Sequence, residues 1–353
     1  MKAYIKGIGS ISPQPGFGNE PFHAPVTYSE GVLRCIEPDY STWIDQRAIR
    51  RMSKIIRIGV AAATLALKEA GIEKPDAIIT GTGFGCVEDT GTFLDKLIEN
   101  NEEALNPTPF IQSTHNTIGS QIALLLQCVG YNQTYSQRGL SFECALQDAL
   151  MMLVENPENN ILFGGVDEIS DVSADFLKKL DLFSDCADSL GLFSQKQHGM
   201  IHGEGSAFFV INSSPSNAWA QIAGMASIYK PQSASEIVQQ LNDLLNKASV
   251  SVEDVNLVFL GKCGDDRYDY LIHEVSNSLS HRTRKAVFKN LCGEYSNASS
   301  FALWLAAMML KKGFVPDGIL TEEKNIAKPI KVILIYNQYL NQHHSLLLLK
   351  ACG

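Results

Sequence analysis

The sequence has no apolar run approaching the ~18 residues that a membrane span requires. It has no C-x-x-C pair and no His/Cys cluster at zinc spacing. Its eight cysteines, at 35, 86, 128, 144, 186, 263, 292 and 352, therefore read as reduced thiols in a reducing cytosol. Positive charge is in deficit. With 29 basic against 38 acidic side chains the net charge is −9, which excludes a surface built to coat nucleic acid. The opening MKAYIKGIGSISPQPG lacks the uninterrupted apolar stretch of a secretion signal, so a cytoplasmic location is expected. No short-period repeat is present, which sets aside a solenoid. What remains is 353 residues, 45% apolar and 19% charged: globular usage, with enough chain to bury a large core.

Strand-like and helix-like segments alternate, which predicts a mixed α/β protein with mostly buried sheets. Strands are expected at Ala3–Ile11, Asp76–Gly81, Asn132–Ser136, Asn160–Gly164 (ending in a Gly164–Gly165 turn) and Gly205–Ile211. Helices are expected at Met52–Ala70, closed by Gly71, and at Thr92–Glu99, Ile118–Cys128 and Ser141–Val154. The polar stretch Asn212–Asn217 is the best internal boundary. Beyond it a second run follows: strands at Ala218–Ser227, Val255–Leu260, Lys331–Tyr336 and Ser345–Lys350, and helices at Ser233–Ala248, Asp269–Ser280 and Ala298–Lys311. Two similar halves, 1–215 and 216–353, packed as one unit, are the expected organisation.

Five blocks in order carry a resemblance: RRMSKIIRIGVAAATLALKEAG (50–71), PTPFIQSTHNTIGSQIA (107–123), FGGVDE (163–168), GEGSAFFVI (203–211) and KNLCGEYSNASSFALWLAA (289–307). Together they resemble β-ketoacyl-acyl-carrier-protein synthases of the thiolase fold, over nearly the whole chain. The resemblance implies a layered α/β/α/β/α sandwich. It also implies a site in which an elbow cysteine accepts an acyl chain at a helix N-terminus and two histidines assist decarboxylation and stabilise the oxyanion.

Carried over position by position, that site is degenerate. The nucleophile's place falls on Gly139 in SQRGLSFECA, the first histidine's on Gly261 in GKCGDDRYD, and the second's on Glu294, after Gly293. Lys289 and the later acid, Asp269, are retained, while YNQYLNQHH (336–344) replaces the family's glycine-rich loop. A glycine cannot be acylated, and a carboxylate beside developing negative charge opposes it. The resemblance therefore narrows to chain-length-factor subunits of aryl-polyene and related polyketide pathways. These non-catalytic chains form a heterodimer with an active ketosynthase. No metal or cofactor is expected. The partners implied are that ketosynthase, or a second copy of this chain, and an acyl carrier protein.

The rival expectation is an active acyltransferase with a displaced nucleophile, Cys144 or Ser141, assisted by Lys289 and Glu294. Cys144 reads more simply as a core thiol and Ser141 as a helix N-cap with Cys144 at its third position. Phe110, His115 and Phe142 are expected at a tunnel or subunit interface that buries Asn132–Ser136 with Pro109–Asn116. His343 and His344 carry no metal pattern, and Asp265–Asp266 reads as a solvated turn. The cations Arg47, Arg50, Arg51, Lys54 and Arg57 form a basic run. Of these, Arg50, Arg51 and Lys54 make the candidate docking patch for an acidic carrier.

Overall fold

The structure, a computed structural model, describes residues 2–17, 20–22, 24–29, 31–184, 188–193, 198–322 and 329–352, so the Cys186 thiol lies outside the described residues. In the first half, β1 (Ala3–Ile11) leads through β2 (Val32–Leu33) and the short α1 (Gln46–Ile49) into α2 (Lys54–Ala70). There follow β3 (Ala77–Gly81), α3 (Val87–Glu99), α4 (Pro107–Gln112), α5 (Thr117–Leu125) and β4 (Tyr131–Tyr135). The half closes with α6 (Ser141–Glu155), β5 (Ile161–Asp167), α7 (Asp171–Lys179), β6 (His202–Gly203) and β7 (Gly205–Asn212). The second half begins with β8 (Ala220–Tyr229), α8 (Ala234–Lys247), β9 (Leu257–Gly261) and α9 (Asp266–Ser278). It ends with β10 (Arg284–Val287), α10 (Lys289–Cys292), α11 (Ala298–Lys312), β11 (Val332–Tyr339) and β12 (His343–Lys350).

Ten strands run in the order β10-β9-β11-β12-β8-β1-β7-β5-β3-β4. From the β8/β1 junction outward the two halves are the same. β1 pairs antiparallel with β7, β7 antiparallel with β5, β5 parallel with β3, and β3 parallel with β4. Likewise β8 pairs antiparallel with β12, β12 antiparallel with β11, β11 parallel with β9, and β9 parallel with β10. The halves join where Ala3–Ile5 of β1 meet Ala220–Ile222 of β8.

Three apolar clusters separate the layers. α2 and α5 cover one face of the first sheet through Ile55, Ile58, Ile118, Ile78, Leu162 and Val210. Its other face, with Ile79, Phe163 and Phe209, packs on α6 and α11, and these two helices also meet Leu257, Phe259, Ile333 and Leu347 of the second half. α8 and α9 close the far side over Val258, Leu334 and Leu348. This is the α/β/α/β/α arrangement. It explains why α11 is apolar all round, since twelve successive residues from Ala298 to Met309 are buried between the two halves of the ten-stranded sheet.

Several elements depart from the sequence reading for identifiable reasons. Gly164 and Gly165 are not a turn; β5 runs through both. A Cβ at Gly164 would lie 2.4 Å from the Phe208 ring, so the glycine serves close strand packing. The basic run is not one helix face either. Arg47 is in α1, Arg50 and Arg51 lie in the turn beyond it, and α2 starts at Lys54 after an extended Ser53. The helix α7 was not expected, although its signature is present: Ser170 makes a reciprocal cap with Ser173, and Lys178 and Lys179 end the last turn.

Candidate functional site

The elbow between β4 and α6 is a single 3₁₀ turn, Arg138–Leu140, with Arg138 in the left-handed region at φ 49°. Gly139 is buried there, and the space a side chain would need is occupied. A Cβ on Gly139 would sit 2.4 Å from the Tyr339 Cβ and 2.8 Å from its Cγ. Tyr339 ends β11. The hydroxyl of Ser141 is fully engaged, accepting from the Gln137 N–H and donating to the Arg138 carbonyl, each at 2.8 Å. Ser141 is the first helical residue, with Leu140 at the cap, so its expected capping role is corrected: it ties the elbow turn to the helix. Cys144, the fourth residue of α6, is half-buried. Desolvation first and the neighbouring Glu143 carboxylate second push its thiol up, away from the nucleophilic thiolate.

Gly261 ends β9 and is equally closed, since a Cβ there would lie 2.4 Å from Asn337 Oδ1 and 2.8 Å from its Cα. Glu294 and Lys289 form a fully buried ion pair, Nζ to Oε2 2.7 Å, and Nζ donates a second bond of 2.6 Å to the Gln338 carbonyl. Burial raises the Glu294 carboxyl to about 7, with the Lys289 charge and hydrogen bond opposing that rise. Its Oε1 has no hydrogen-bond partner. Asp269 caps the loop after β9, accepting from the Cys263 and Gly264 N–H groups at 3.0 and 2.9 Å. Asp167, at the end of β5, joins three elements: it accepts from Gly83 N, Asn297 N and Asn297 Nδ2 at 2.7, 2.9 and 2.6 Å. Gly139, Gly261 and Glu294 are thus packing or ion-pair positions.

Above them lies a cavity of about 290 Å³, with Glu294 and Tyr295 among its buried lining, Tyr339 partly buried, and Phe84, Val172 and Phe176 among its exposed lining. Glu168 lines it too. Burial, then the nearby Glu88, Asp89 and Glu204 charges, raise its carboxyl to about 8, against the Glu88 N–H that it accepts. Sequence reasoning missed α7, Glu168 and Tyr339. The capping pattern marks α7, but nothing local marks Tyr339, whose role comes from meeting a glycine 200 residues away in the chain.

The β-ketoacyl synthase N-terminal domain family matches residues 30–216, more than half of the chain. The chain belongs to the β-ketoacyl synthase family. No curated protein sequence matches it. Among solved structures it is similar to a β-ketoacyl synthase from Burkholderia phymatum STM815, with TM-score 0.82 and 16% identity over the whole of both chains. It is similar to the ishigamide ketosynthase/chain length factor at TM-score 0.78 and 18% identity, covering 100% of this chain and 99% of that one. It is also similar to the structure of the ketosynthase ApeO in complex with its chain length factor ApeC from Xenorhabdus doucetiae. There the TM-score is 0.78 and the identity 15%, over 99% of this chain and 98% of that one. At such identities the likeness shows the thiolase-like ketosynthase fold.

On this ketosynthase scaffold the other expected residues fall as follows. Phe142 is fully buried. Its ring lies in the central layer, 5.7 Å from Phe163 and 5.9 Å from Phe209. Phe110 is exposed and packs on Phe93 at 5.1 Å, and His115 is exposed beside Gly85. Arg50 and Arg51 are exposed, but Lys54 leaves the patch, because its ammonium pairs with the buried Glu204 carboxylate. Arg57 reaches Glu37 at 3.3 Å. Asp265 is not solvated: it is buried, caps α9, pairs with Arg267 at 2.6 Å and accepts the Gly199 N–H at 2.9 Å. His344 is buried against the Tyr336 hydroxyl at 3.0 Å, and burial holds it down at about 4, so it stays neutral. Among the described residues no helix is long and apolar enough to cross a membrane, and no cluster of three or more His, Cys, Asp or Glu could hold a metal.

Proposed function

We propose that this chain is the non-catalytic, chain-length-factor-like subunit of a cytoplasmic ketosynthase heterodimer. It would serve polyketide, aryl-polyene or fatty-acid-type chain extension. The observation that carries the reading is Tyr339 filling the only direction in which residue 139 could present a nucleophile. The Lys289–Glu294 pair supports it, because a carboxylate there opposes enolate formation.

The partner surface would be the free edge of the sheet at β4, whose first three residues are exposed. Around it Leu124, Val129, Tyr131, Phe110 and Ile111 leave large apolar side chains uncovered. Arg50 and Arg51 would meet the acidic carrier protein, against a chain of net charge −9 that otherwise repels it. Co-expression with a ketosynthase encoded beside it, Cys-His-His site intact, should yield a stable heterodimer on size exclusion. Incubation with malonyl- or acyl-carrier protein should leave this chain's intact mass unchanged. A stoichiometric acyl adduct lost in Cys144→Ala would overturn the non-catalytic reading.

A further inference from the structure

We propose that the cavity over the closed elbow is a non-covalent binding site for a neutral, apolar molecule that ends in a hydroxyl. This goes beyond the subunit role above and does not need it. A remnant of a lost active site would be expected to collapse or to fill with side chains, as the positions of Gly139 and Gly261 have done. This space of about 290 Å³ has not. Its walls carry Phe84, Ile169, Val172, Phe176, Leu177 and Tyr339, so an apolar body is what it can desolvate.

The polar groups define the rest of the ligand. Glu294 is 3% exposed and lines the cavity with Oε1 unpartnered, while its Oε2 is held by Lys289 at 2.7 Å. A free acceptor in a buried place asks for a donor. Glu168 Oε2 is also buried and unpartnered on the same wall. An anionic ligand would face Asp167, Glu168 and Glu294 together. An ammonium at Oε1 would face the Lys289 ammonium across one carboxylate. A neutral hydroxyl satisfies the acceptor without either repulsion.

The test is calorimetric titration of the purified protein, with its partner ketosynthase when the two co-elute. The probes are 4-propylphenol, propylbenzene, 4-propylbenzoate and an acyl-pantetheine. The phenol should bind roughly tenfold or more tightly than each of the other three. In Val172→Trp, an exposed position at the mouth, phenol affinity should fall about tenfold with the fold and partner co-elution unchanged. In the paired variant Lys289→Leu/Glu294→Leu, which removes the buried charges together, the preference for phenol over propylbenzene should disappear. Four results would each overturn the proposal: no phenol binding at millimolar concentration, equal affinity for phenol and propylbenzene in the unmodified protein, phenol binding insensitive to Val172→Trp, or tighter binding of acyl-pantetheine, which would make the cavity a carrier-arm site. Co-elution is scored in the same samples, so loss of this inference with a heterodimer intact leaves the subunit role standing.

Discussion

Placing a cysteine at the elbow should damage the protein without making it accept an acyl group. Gly139 has no positive φ, so the backbone would accept a cysteine; the obstacle is space. The new Cβ would meet Tyr339 Cβ at 2.4 Å, Cγ at 2.8 Å and Cδ1 at 2.9 Å, with the sulfur still to place. Tyr339 ends a strand, so its Cβ moves only with its backbone, and overpacking of this kind costs about 2 kcal/mol. For 353 residues that corresponds to a fall in Tm of about 3 °C. Tyr339→Ala removes the Cγ and Cδ1 conflict and leaves only the Cβ contact. The double variant Gly139→Cys/Tyr339→Ala should therefore be more stable than the two single effects predict. Differential scanning calorimetry of the four proteins reads the coupling, and intact mass after exposure to acyl-carrier protein reads acylation. With a glycine at 261 and a carboxylate at 294, the cysteine variants should stay unmodified. A Gly139→Cys protein as stable as the parent, and acylated, would refute the steric argument.

Lys54→Met should destabilise by about 3 kcal/mol, because the fully buried Glu204 carboxylate loses its cation. Arg50→Glu with Arg51→Glu should leave the melting curve unchanged but slow carrier association and flatten its salt dependence. Urea unfolding and binding at two ionic strengths check these. Glu168 has its folded carboxyl raised to about 8 from an ordinary unfolded value, so the folded state holds the proton more tightly. Its contribution is complete at pH below about 4 and is lost as pH rises towards 8. Glu168→Gln should therefore melt a few degrees higher than the parent at pH 8.5 and the same at pH 4, and a parallel pair of pH profiles would contradict it. Leu124→Glu with Val129→Glu, both exposed side chains, should abolish heterodimer co-elution while keeping the far-ultraviolet spectrum.

Local chemistry was legible wherever the cause of structure is local. Periodicity marked α2, α6, α8 and α11 to within two residues at each end, because a helix's buried stripe is written in its own residues. The order of strands and helices pointed to two like halves, and the three substitutions at 139, 261 and 294 pointed to a lost acyltransferase site. Short elements such as β10 and α10 escaped, since four residues carry too little pattern to separate strand from helix or loop. Lys54 looked like a surface cation because its partner Glu204 is 150 residues away. The packing of Phe142 on Phe163 and Phe209 was not legible, because nothing in its neighbourhood announces either ring. The emptiness of the elbow is the clearest division. The sequence alone determined that residue 139 has no side chain. Only the tertiary structure decided that none could fit, because the tyrosine that fills the space arrives from another strand, and packing between distant segments leaves no trace in either one alone.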